Sequence, residues 1–186
     1  MATETGRTFY DIVRTKRDLR AYEDRPIPEE TLRRILQAGR MAGSAKHAQP
    51  CRFIVLRDRR HREELAACGD FTAHLVMAPV VVAIVTLPEA GQWDPVRATS
   101  FDAGRAAQNM MLTAWAEGIA SCPVTMHRHE DAARVLGLPP DHRVTWVLAF
   151  GYPRADALTA RPRRPRLPLS EYVHEERWGV PWAGAG

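Results

Sequence analysis

"SFDAGRAAQNMMLTAWAEG", residues 100–118, is the stretch on which the fold turns. Ser100 can cap a helix, Asp102 suits the positive end of its first turn, and Gly118 suits its close. Ala103, Ala106, Ala107, Met110, Met111, Ala114 and Trp115 recur at helical spacing and make one broad face of small and flexible residues. Such a face lets another element approach closely. It fits core packing or a dimer seam equally well.

The segments around this helix read as a sheet with helices over it. "PVVVAIVTL" (79–87) is continuous, apolar and β-branched, which predicts a central strand rather than an edge. "FIVL" (53–56) and "VTWVLAFGYP" (144–153) predict two more buried strands, and "IASCPVTM" (119–126) a strand-like run interrupted by Pro123. Phe9, Ile12 and Val13 predict a short helix over 8–16. In "PIPEETLRRILQAGRMAG" (26–43), Pro28 opens a helix, Glu29 and Glu30 suit its first turn, and Gly43 is expected to end it. Leu32, Ile35, Leu36 and Gly39 share one face of that helix. "RDRRHREELAAC" (57–68) predicts a surface helix, "HEDAARVLG" (129–137) a short helix, and "LPEAGQWDPVRA" (87–98) a loop. The expectation is one α+β domain over residues 1–186. Its proline- and arginine-rich tail, 154–186, is too poor in core residues to fold alone and is expected to wrap over the domain or a neighbour.

Composition narrows the function classes. The chain is 45% hydrophobic, enough for a substantial core, and carries a net charge of +4. Much of that excess sits in two clusters, 14–20 and 161–166, with mixed charge between. No nucleic-acid-binding motif accompanies it, so nucleic acid ranks last among partners. Cys51, Cys68 and Cys122 are odd in number and far apart, which argues for a reducing compartment rather than a disulfide framework. The apolar run "LVMAPVVVAIVTL" has 13 residues and a proline, too short to span a bilayer. With no apolar leader visible in "MATETGRTFYDIV", a cytoplasmic protein without membrane partners is expected.

The residues with chemistry are mainly cationic. "TKRDLRAY" (15–22) packs Lys16, Arg17 and Arg20 around Asp18, and Arg163, Arg164 and Arg166 cluster near the end. Brought together, they would form a phosphate clamp, because the planar fork of arginine matches phosphate oxygens in pairs. Asp18 would then orient an arginine or accept from a ligand hydroxyl. Two solvated basic turns remain the alternative on composition alone. "HRH" (127–129) has no third ligand spaced to make a metal site. Cys51, between Pro50 and a buried strand, reads as an inert thiol.

Four blocks, in order, resemble the nitroreductase family of flavin enzymes. "KRDLRAYEDRPIPEETLRRILQAGRMAGSAKHAQPCRFIVL" (16–56) resembles its basic R-R-S/D-x-R-x-F/Y, P-I/V-P and A-P-S-x-x-N-x-Q-P-W series. "FDAGRAAQNMMLTAWAEGIASCPV" (101–124) resembles its D-x-G-x-A-x-Q-N-M helix. "LGLPPDHRVTWVLAFGYP" (136–153) and "RRPRLPLSEYVHEERWG" (163–179) resemble its L-G-L-P…G-Y-P and closing R-x-P-L-x-E-x-V segments.

The resemblance implies a nitroreductase-like fold, a central mixed β-sheet flanked by helices, in a domain-swapped homodimer with FMN at the interface. It implies that Lys16, Arg17 and Arg20 grip the ribityl phosphate, with Asp18 on the ribityl chain or ring edge and Arg164 and Arg166 completing the clamp. Gly43, Ser44, Ala45 and His47 would line the ring from the partner chain, and Pro123, Val124, Thr125 and Met126 would cover its other face, a backbone N–H near Thr125 meeting flavin N5. NAD(P)H would reduce the flavin, and a nitroaromatic, quinone or similar acceptor would reoxidise it in ping-pong order. No side-chain nucleophile or metal is implied. The chain departs from the family pattern with Gly43 for proline, His47 for asparagine and Cys51 for tryptophan, and with a short 88–100 segment. Two other readings remain: Asp18 and Thr125 resemble the flavin-destroying branch that makes dimethylbenzimidazole, and Gly43 and His47 suit a flavin binder with little turnover.

Overall fold

β2 (Val80–Thr86) is buried at every position, as its unbroken β-branched run requires. The structure, a computed structural model, describes residues 6–87, 95–159 and 165–185. Among these, β2 lies between β1 (Cys51–Leu56) and β4 (Arg143–Gly151), and β3 (Ala120–Val124) flanks β4, giving the order β1-β2-β4-β3. All three pairings are antiparallel. The sheet expected to be mixed is therefore antiparallel throughout its four strands, and an isolated parallel bridge joins Asp18 to Ser121 on the outer side of β3. Pro123 is tolerated inside β3 because this is an outer strand of the sheet.

Alternating side chains on β2 serve two cores. Val81 and Ala83 face one cluster with Leu65, Leu75 and Ala132, from α3 (Arg59–Ala66), α4 (Ala73–Met77) and α6 (His129–Val135). Val80, Val82 and Ile84 face the other, with Leu32 and Ile35 of α2 (Glu29–Arg40) and Ala103, Ala107 and Met110 of α5 (Pro95–Ala116). The small-residue face of α5 is therefore core within this chain. Gly39 of α2 makes the closest approach: a Cβ there would lie 2.1 Å from Met110 Cε.

Three expectations change. α5 begins at Pro95, so Ser100 is inside the helix rather than its cap; proline, with its fixed φ, starts a helix without losing a bond. α2 ends at Arg40, before Gly43. Ala73–Met77 forms a short helix whose five residues are too few for a periodic signal. Gly118 does close α5, with φ at 76°. Earlier in the chain, α1 (Phe9–Thr15) is opened by a capping box between Thr8 and Asp11.

The described parts of the tail, 154–159 and 165–185, include α7 (Ala155–Thr159), α8 (Leu169–Tyr172) and a bridge between His174 and Pro181. Leu167, Leu169, Tyr172, Val180 and Trp182 are exposed, and Trp178 is 90% exposed. None of the described helices is long and apolar enough to cross a membrane.

Candidate functional site

The basic segment lies along the outer edge of β3. Leu19 N–H donates to the Ser121 carbonyl at 3.2 Å and Tyr22 Oη donates to the Leu19 carbonyl at 2.6 Å, fixing the backbone from Asp18 to Tyr22. Lys16, whose side chain is only 10% exposed, pairs with Asp18 and reaches Met111 Sδ of α5 at 3.5 Å. Asp18 thus orients a lysine rather than an arginine, and about half of its side chain stays open. Arg17 is half-buried and Arg20 exposed. Arg166 is exposed in the tail, while Arg164 lies outside the described residues.

Behind this edge are two polar groups that periodicity cannot reveal. Ser121 Oγ and His74 Nε2 are buried without hydrogen-bond partners, on residues 1% and 5% exposed. Burial, then the nearby Arg20 charge, pushes the His74 imidazole below its usual range, so it is neutral at pH 7. Burial likewise pushes the Cys122 thiol up, with Arg20 opposing it. It is the exposed Arg20 and half-buried Arg17 on this edge that suit an anionic ligand.

The loop after β3 is stitched to the loop before α4. Arg128 donates to the Ala67 and Gly69 carbonyls and pairs with Asp70 at 3.0 Å, and Asp70 N–H donates to His127 Nδ1 at 3.2 Å. Pro123 and Val124 are the half-buried last residues of β3 rather than part of the loop, and Thr125 in the loop is exposed. Met126 is buried at 2% exposure in the core beneath, so its side chain supports the loop from below.

The turn before β1 is held by its own bonds. Ser44 Oγ accepts from Gln49 N–H at 2.9 Å, Ala45 N–H donates to the buried Asp102 carboxylate at 3.1 Å, and His47 Nε2 lies 3.0 Å from Gln49 Nε2. Lys46, His47 and Gln49 all have positive φ, at 49°, 57° and 49°. Left-handed backbone costs a non-glycine residue on the order of 1–2 kcal/mol, and such strain concentrates where a chain serves a ligand. Gly43, Ser44, Gln49, Cys51 and Asp102 line a cavity of about 950 Å³ between α2, β1 and α5.

Burial, and then Asp102, pushes the Cys51 thiol up to about 11. Cys51 is therefore expected to alkylate at pH 8 about tenfold more slowly than a free cysteine, the scarcity of thiolate outweighing its greater nucleophilicity. Peptide mass mapping after a timed iodoacetamide pulse measures this; labelling at the free-thiol rate would contradict it.

The clamp and the turn belong to opposite edges of the sheet. The turn feeds β1 and the clamp lies outside β3, four strand spacings away, roughly 19 Å at about 4.8 Å each. They also meet α5 at different places, the turn at Asp102 and the clamp at Met111. Lys16 and Asp18 are in contact and lie with Arg20 around Cys122, Arg17 being linked to them by the chain and by no side-chain contact among the described residues, while Gly43, Ser44, Ala45 and His47 share the separate turn.

Comparison with known proteins agrees with this architecture. The sequence profile described as "Nitroreductase family" matches residues 13–68 and 72–152. A protein of Archaeoglobus fulgidus, provisionally named NADH dehydrogenase/NAD(P)H nitroreductase, is 29% identical over 174 residues, covering 90% of this chain and 97% of the relative. Nitroreductase A of Vibrio parahaemolyticus has the same fold, with a TM-score of 0.83 at 24% identity over 91% of this chain and 76% of that one. A provisionally named nitroreductase of Desulfovibrio desulfuricans, solved in complex with FMN, superposes with a TM-score of 0.78 at 29% identity, covering 92% of this chain and 98% of that one. The chain belongs to the nitroreductase family, and is an oxidoreductase of that type.

Proposed function

We propose that this protein is an FMN-dependent oxidoreductase that takes electrons from NAD(P)H and passes them to a small acceptor, a nitroaromatic, quinone or similar compound, in ping-pong order. The observation that carries this reading is the clamp: Lys16, Arg17 and Arg20 on one segment along the outer edge of β3. The names of the A. fulgidus and D. desulfuricans relatives support the reductant and the cofactor.

FMN, when bound, supplies the redox centre. Arg17 and Arg20 hold its phosphate together with Lys16, whose position Asp18 fixes. The exposed Arg166 of the tail would add a further cation to the clamp. Thr125 offers a backbone N–H to the ring, on a loop whose register Arg128 secures.

The ring-side residues Gly43, Ser44, Ala45 and His47 come from a second copy. The turn before β1 and the 123–126 stretch at the end of β3 lie three strand spacings apart, roughly 14 Å at about 4.8 Å each, which supports this, since one ring is too small to touch both within one chain. The exposed apolar tail supports it too, as a segment that crosses to the partner in a domain-swapped homodimer. Sedimentation with detection at the flavin band tests the arrangement. The flavin is expected to move with a species of twice 20.9 kDa; a monomer that keeps its FMN would overturn the shared site.

A further inference from the structure

Gly43 stands where the family pattern has proline, and its φ is not among the positive ones, so backbone freedom does not explain it. Space does. A Cβ at 43 would lie 2.5 Å from Arg105 Nη2 and 3.1 Å from both Cζ and Nη1. The guanidinium occupies the volume that a side chain at 43 would fill.

Arg105 is tied there from two further sides. Its Nη1 lies 3.9 Å from Asp102 Oδ1, and its Cζ is 5.6 Å from the centre of the Phe101 ring. Asp102 is in turn the acceptor for Ala45 N–H, through its other oxygen. One arginine of α5 therefore touches the turn directly at Gly43 and indirectly at Ala45. A glycine in place of proline leaves the chain freer at 43, and a planar cation packed against it restores the lost constraint.

We propose that Arg105 positions the 43–49 turn for the flavin, its guanidinium standing in for the missing side chain at 43 and Asp102 relaying its hold to Ala45. This rests on the flavin reading above for the purpose of the turn, though the propping of the turn can be tested without flavin.

The test uses the full chain and three variants: Arg105→Ala, Gly43→Ala and the double variant. In Gly43→Ala the new Cβ displaces only the far end of a flexible side chain, so this variant folds while expelling the guanidinium. Limited trypsin digestion of the flavin-free protein reads the turn at the exposed Lys46. Each single variant is expected to speed that cleavage several-fold, and the double variant no further, because both remove the same contact. FMN titration is expected to show a matching several-fold rise in Kd, again without additivity, with the flavin midpoint potential displaced from that of the unaltered protein. Cleavage unchanged in Arg105→Ala, or effects that add in the double variant, would overturn the propping role. Faster cleavage with unchanged FMN affinity and potential would overturn its service to the flavin. Failure of the unaltered protein to bind FMN would overturn that service and the flavin reading together, leaving the cleavage result to decide the propping.

Discussion

Arg20→Ala is expected to weaken FMN binding by about 1–3 kcal/mol, roughly 5- to 150-fold in Kd. Arg20 is chosen over Lys16 because their charges are differently committed. Lys16 is largely buried and already paired with Asp18, so its removal would also strip Asp18 of its counter-ion. Arg20 is exposed, and it stands beside the buried His74 and Cys122. On the proposed reading its loss would remove a forked, charge-assisted phosphate contact while leaving the buried core untouched. Thermal melting of the flavin-free variant should match the unaltered protein, while fluorescence titration shows the weaker binding. Unaltered affinity would contradict the clamp assignment.

Phe150→Ala is expected to lower unfolding stability by about 3–5 kcal/mol. Phe150 is fully buried in the cluster on the α2–α5 side of the sheet. Its strand pairs it with Val80 of β2 and Ser121 of β3, so it lies at the junction of three strands. α5 and α2 close over that face, and a sheet and two helices cannot collapse into the vacated volume as a loop would. Urea unfolding of both proteins measures the loss. A cost below about 1 kcal/mol would show that the face is loosely packed.

Much of the fold was legible because its strongest elements obey one period. The run at 79–87 has no polar interruption, and it became the fully buried β2. The small-residue face of 103–115 was legible as a surface for close packing, but its partner was not; α2 takes that place through Gly39. The start of α5 was misjudged because Ser100 offers a good cap chemically, yet Pro95 fits the first turn without loss of a bond.

The site was legible only where charge is clustered. Lys16, Arg17, Asp18 and Arg20 stand out in sequence, whereas Ser121 and His74 do not, since their significance lies in burial without partners. Nor could sequence order show that the clamp and the turn belong to opposite sheet edges. The departure at Gly43 was visible, but its reason lies 62 residues away in Arg105.

The central claim is tested most directly by the visible spectrum of the purified protein, loaded with FMN if needed, before and after NADPH or NADH is added without oxygen. The account predicts a bound-flavin spectrum that bleaches with at least one of the two nicotinamides and returns when a quinone or nitroaromatic is supplied. Bound flavin that neither nicotinamide bleaches would contradict the reductase reading and point to a flavin binder with little turnover. A protein that cannot be loaded with FMN would contradict the clamp itself.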